Sequence, residues 1–324
     1  MDSVNRGRYS SSAFAAEDDE WYPKQESTPR PAGPHRAVRK RDYLLRFSKA
    51  FMGFLGAVLL WYTAVLTRPG QILDAFTMEA AGVWDGQLWG VDEVVLFLVS
   101  TKMIVIVAIL VVIITFWRQR WELGLRALAV MLLTIGVVQL LKRYVFWRPA
   151  FGVTYALPNS YPSGHTAAAA AVSVAAVMVV ARRWRSFTAF LGAIWVSTVG
   201  TATVINAWHR PSDVLGAVMI AGAFGLLFTP LEASRGRTWG DLRMQHFLGV
   251  VGWAFFILGL VSSVLVAMMI WNQFGFSGSE VLVAQIFRQA HAGGAVVHLA
   301  HLAGLSLILG LVSLVLRSVD KLVQ

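Results

Sequence analysis

Two histidines, one carboxylate and a small group of cations are the residues of this chain whose types and spacing suit chemistry. His209 and Asp213 stand four apart in Asn206-Ala207-Trp208-His209-Arg210-Pro211-Ser212-Asp213, a separation that brings side chains together on one helical turn. Pro211 favours a loop between them over regular helix. A carboxylate bonded to Nδ1 of an imidazole fixes the tautomer and leaves Nε2 free as nucleophile or base. The same pair equally serves as a structural cap at the start of a helix. Upstream, Pro162-Ser163-Gly164-His165 reads as a helix N-terminus. Ser163 caps, Gly164 lets the backbone approach a ligand, and the first N–H groups point outward. Such an end attracts phosphate, and His165 adds a proton donor and acceptor near neutrality. Alone, it is just as well an ordinary loop-to-helix junction with an incidental histidine.

Lys142, Arg143 and Arg148 precede these two clusters. Together the three groups supply what phosphoryl transfer through a phosphohistidine needs. Cations neutralise the non-bridging oxygens, one histidine attacks phosphorus, and another protonates the leaving oxygen.

The elements that must position them are membrane helices. The chain has 324 residues, is 56% hydrophobic and carries only 14% charged residues, a balance that excludes an ordinary soluble domain. Its 13 Trp and 19 Phe suit interfacial belts and lipid-facing surfaces. Eight apolar segments lie near 50–67, 94–117, 124–143, 163–181, 187–206, 212–229, 247–271 and 294–316. The first begins too far in for a cleavable leader. Residues 69–93 mix Asp74, Glu79, Asp85 and Asp92 with apolar side chains, which suggests a short amphipathic helix lying on the membrane surface.

The net charge is +10. The basic residues cluster between apolar segments and in the N-terminal arm, so anionic lipid headgroups are the expected partner and nucleic acid is not. Arginines gather near 118–126, 182–185 and 230–246, with Arg317 and Lys321 in the tail. An all-α, eight-span topology with both termini cytoplasmic satisfies these loops. It makes 142–162 and 206–213 extracytoplasmic and the protein an integral plasma (inner) membrane one. Cations in 142–162 then lie on the disfavoured side, where function is the expected reason for them. The division is a disordered, basic-ended arm over 1–40, a six-helix core over 41–230, and two further spans with a cytoplasmic tail over 231–324.

Lys142 with Arg148-Pro149, then Pro162-Ser163-Gly164-His165, then His209 with Asp213 resemble the three signature motifs of the type 2 phosphatidic acid phosphatase superfamily. That resemblance implies a six-helix core and a membrane phosphatase acting on a lipid phosphate or diphosphate, of polyprenyl, phosphatidic acid or phosphatidylglycerol phosphate type. It implies that Lys142 and Arg148 hold phosphate oxygens and that Ser163 and Gly164 add a hydroxyl and an amide. His165 is then the general acid, His209 the nucleophile and Asp213 its orienting partner. No metal and no cofactor are implied.

Two departures stand out. Five residues, not the family's six, separate Lys142 from Arg148. On a continuous helix that turns a side chain by about 100°, unless the helix ends before Arg148-Pro149. Ala202 and Thr203 occupy the positions where the family's third motif opens with Ser-Arg. Arg143 or Arg210 is the candidate replacement for that arginine. The departures leave two alternatives to hydrolysis: a lipid phosphotransferase with another acceptor, or a catalytically degenerate lipid-binding protein. Outside the motifs, Lys102 either snorkels or holds a headgroup. His291, His298 and His301 share one helix face, as polar lining or, with further ligands, a metal site.

Overall fold

The computed structural model describes residues 40–82, 94, 97–98, 100–153, 159–231, 239–275, 288 and 294–322. The arm up to residue 39, most of 83–99, residues 232–238 and His291 lie outside the described residues.

Helix α1 (Lys40–Leu60) runs into a π turn at Trp61–Val65. Thr67 caps α2 (Arg68–Ala81), its side chain accepting the Gly70 N–H, with Pro69 in the first turn. The apolar helices α3 (Thr101–Trp117) and α4 (Trp121–Leu140) follow, and α4 ends in a second π turn at Leu141–Val145. Then come α5 (Gly164–Val179), α6 (Arg185–Ile205), α7 (Pro211–Phe228), α8 (Trp239–Phe274) and α9 (Ala295–Leu322). Among the described residues the fold is an all-α polytopic bundle. Six helices among the described residues are long and apolar enough to cross a membrane, and Lys102–Trp117 and Gly164–Val179 are shorter apolar helices.

Small side chains let the central helices approach closely. Ala167 to Ala171 of α5 are all buried, and α7 is buried along most of its length. At Gly222 and Gly225 of α7 a Cβ would collide with Val315, Val319 and Val174. Substitution there forces helices apart in a core that tolerates little change in volume. By contrast α8 exposes Trp253, Ile257, Leu260, Val264 and Met268, the pattern of a surface facing lipid.

One expectation is corrected. The acidic segment does form a helix, but α2 does not lie on a surface. Gln71, Ile72, Asp74, Ala75, Phe76 and Met78 are buried, and α2 packs against α9, α6 and α7. The apolar face expected to meet lipid meets protein, and the polar side chains of Gln71, Asp74 and Thr77 go inward with it. The last helix packs into the central core. Ile308, Val312, Leu316 and Val319 of α9 belong to the central cluster shared by α5, α6 and α7.

The ends of the bundle differ. At one, Ser186 of α6 and Gln245 of α8 both donate to Asp320 Oδ2 of α9, at 2.9 and 2.6 Å, and the Arg118 guanidinium donates to the Val179 carbonyl. The motif residues meet at the other.

Candidate active site

Four helix ends build the site. The π turn closing α4 carries Lys142, and Phe146 leaves the helix in extended conformation, with ψ 113°. Arg148 is therefore off the helix, and its spacing from Lys142 no longer sets its direction. Its Nη2 lies 4.0 Å from Asp213 Oδ1. Asn159 holds this turn by donating to the Lys142 and Phe146 carbonyls.

Ser163 caps α5 as expected from its type. Its Oγ accepts the Thr166 N–H at 3.3 Å, and its own N–H donates to the Asp213 carbonyl at 2.9 Å. The second and third motifs are thus tied backbone to backbone. Gly164 lies against Gln139, where a Cβ would stand 3.0 Å from the side-chain amide.

At the end of α6 the Thr203 carbonyl accepts the N–H groups of Trp208 and His209, at 3.0 and 3.1 Å. Ala207 takes a left-handed conformation, φ 52°, at a cost of about 1–2 kcal/mol for a residue with a Cβ. The chain reverses there and delivers His209 beside His165, with ring centroids 6.0 Å apart. Trp208, partly exposed, sits over His165 at 5.9 Å.

Asp213 is wholly buried and accepts two hydrogen bonds on Oδ2, with an imidazole nitrogen further off. Ser160 Oγ lies at 2.6 Å, the Arg210 N–H at 2.8 Å and His209 Nδ1 at 3.4 Å. The last contact is longer than a firm hydrogen bond, in a site where such contacts tighten when the ligand binds. Arg210 Nη1 donates to Ser160 Oγ at 3.0 Å.

The cations separate into two kinds. Arg143 is exposed, whereas Arg210 is fully buried beside Asp213. Of the two candidates for the missing third-motif arginine, only Arg210 lies at the site. Lys142 is half-buried and close enough to act electrostatically on Asp213 and His165. Burial first, and the Arg210 charge second, hold the Arg148 guanidinium below its ordinary value. Arg148 Nε and Nη2 are buried and make no hydrogen bond among the described residues.

Residues 123–237 match the PAP2 superfamily. That match supports a phosphatase-type activity on lipid phosphate in general. No curated protein and no solved structure matches the chain. The matched segment contains Lys142 through Asp213 and leaves out α1, α2, α3, α8 and α9.

Sequence reasoning missed four residues around this site. Ser160 bridges Asp213 and Arg210. Tyr161 is fully buried, donates to the Ala57 carbonyl at 2.5 Å, and has its phenol pushed up by burial. Gln71 Nε2 donates to the carbonyls of Val65 and Pro149, at 2.7 and 2.9 Å. Asp74 accepts two hydrogen bonds from Ser212. Ser160 and Tyr161 adjoin the second motif and were visible by position, but Gln71 and Asp74 carried no local signal. Lys102 and His298 are exposed, and His301 is half-buried.

Proposed function

We propose that this protein hydrolyses a lipid phosphate or diphosphate through a phosphohistidine on His209. The observation that carries the reading is the pairing of the two imidazoles, 6.0 Å apart, with the buried Arg148 guanidinium, whose Nε and Nη2 make no hydrogen bond among the described residues.

In the first step Nε2 of His209 attacks phosphorus and the P–O ester bond breaks. His165 gives its proton to the leaving oxygen, which departs as an alcohol, or as a phosphate monoester when the substrate is a diphosphate. In the second step water attacks phosphorus, His165 takes a proton from it, and the N–P bond breaks to release inorganic phosphate. Asp213 stabilises the imidazolium character that His209 acquires. Arg148, Arg210, Lys142 and the Ser163-Gly164 turn hold the equatorial oxygens.

A lipid substrate is supported by a largely apolar cavity of about 230 Å³ beside the site, lined by Leu60, Leu73, Leu215 and Leu307 together with Asp74 and Ser212. The site's end of the bundle is taken as extracytoplasmic because Arg118, Arg120, Arg182, Arg183, Arg317 and Lys321 all lie towards the other. The test is inorganic phosphate release by the purified protein from a panel of lipid phosphates and diphosphates. Release by wild type and its loss in His209→Ala and His165→Ala are the expected results. Equal release by both variants overturns the reading.

A further inference from the structure

We propose that Asp74 is a positioning residue of this reaction, gripping the Ser212-Asp213 turn from α2, a helix outside the matched segment. The inference rests on the proposed hydrolysis.

Both oxygens of Asp74 are spent on one neighbour. Oδ1 accepts the Ser212 N–H at 3.0 Å and Oδ2 accepts the Ser212 hydroxyl at 2.5 Å. Ser212 lies in the first turn of α7, where a backbone N–H has no helical partner. A carboxylate there satisfies it and favours the helix dipole. The next residue is Asp213, whose Oδ2 faces His209 Nδ1. Asp74 therefore fixes the turn that orients the imidazole. On the same face of α2, Gln71 bonds the Pro149 carbonyl, beside Arg148. One helix thus holds the arginine loop and the histidine loop in register.

A purely structural grip does not call for this residue. A buried carboxylate near a second carboxylate is costly, and an amide satisfies one of the two donors more cheaply. Costs of this kind gather at functional sites. The Asp74 carboxyl is pushed up to about 6, first by burial and then by Asp213. The groups that face it are Ser212, Asp213 and Arg210 of the α7 start, Arg148 after α4, and Tyr161 before α5. His301 of α9 shares a small cavity with Thr77, one turn further along α2.

The test compares full-length wild type, Asp74→Asn, Ser212→Ala, Ser212→Thr and the double Asp74→Asn/Ser212→Ala in detergent micelles. Asn offers one acceptor where two are needed. The expected result for Asp74→Asn and for Ser212→Ala is a kcat loss on the order of 10²-fold, with KM changed less than about threefold. Ser212→Thr keeps the hydroxyl and retains activity. The double variant falls no further than the worse single, because one contact is lost in each. The acid limb of kcat/KM becomes less steep by one proton in Asp74→Asn. A kcat within about twofold of wild type with an unchanged pH profile, or fully additive losses, overturns the proposal. If wild type releases no phosphate from any substrate, it is the hydrolysis that fails. Orthovanadate titration then decides the positioning role on its own: about tenfold weaker binding by Asp74→Asn supports it, and equal binding overturns it.

Discussion

Nδ1 of His209 faces Oδ2 of Asp213 at 3.4 Å, and that oxygen is itself pinned by the Ser160 hydroxyl and the Arg210 N–H. The carboxylate cannot rotate away without abandoning both. Asp213→Asn keeps the size but presents an amide to the imidazole and disturbs its tautomer. The expected kcat loss is about 10²–10⁴-fold, with KM nearly unchanged. Steady-state kinetics on a short-chain lipid phosphate measure it.

The two arginine positions give opposite outcomes. Arg148 is buried with unused donors, whereas Arg143 is exposed. Arg148→Ala removes a charge-assisted contact worth about 2–5 kcal/mol, so kcat/KM drops by about 30-fold or more. Arg148→Lys recovers only part of it, since an ammonium lacks the planar fork. Arg143→Ala stays within about threefold of wild type. Comparing kcat/KM for the three variants separates the positions.

Asp74 gives a pH signature in stability. Its folded value, about 6, lies above the ordinary 3.8. The folded state therefore binds more protons than the unfolded state between those values. The group's favourable contribution is fully present below about pH 4 and is lost as pH rises to about 6. Its size is on the order of 2–3 kcal/mol. The melting temperature of wild type relative to Asp74→Asn falls across that window and is flat above it. Thermal unfolding of both proteins from pH 4 to 8 checks the sign.

The polar knot at the opposite end is expected to matter for stability and not for chemistry. Asp320 accepts from Ser186 and Gln245, joining α6, α8 and α9. Asp320→Ala leaves buried donors unmatched, at about 1–3 kcal/mol each. The protein melts earlier in detergent, while specific activity per folded molecule is unchanged.

What could be read in the chain was what depends on neighbours in sequence. The apolar segments appear as helices because length and hydropathy dictate them in a bilayer. Ser163 caps because of its type and place. The five-residue spacing from Lys142 to Arg148 looked like a defect only while a continuous helix was assumed. The π turn at Leu141–Val145 and the extended Phe146 end that helix first. What could not be read was long-range. Asp74 and Ser212 are 138 residues apart, and nothing near Asp74 distinguishes an inward carboxylate from one on the polar face of a surface helix. The same limit left Arg143 and Arg210 indistinguishable, until burial separated them.

The central claim is a covalent bond between His209 and phosphorus, and rapid quench in base followed by peptide mass spectrometry reads it directly. With p-nitrophenyl phosphate the leaving group needs no acid, so His165→Ala forms the intermediate but hydrolyses it slowly. The expected result is phosphate on His209 approaching one per molecule in His165→Ala, and none in His209→Ala. Phosphate on another residue, or turnover by wild type with no trapped phosphohistidine in His165→Ala, contradicts the mechanism.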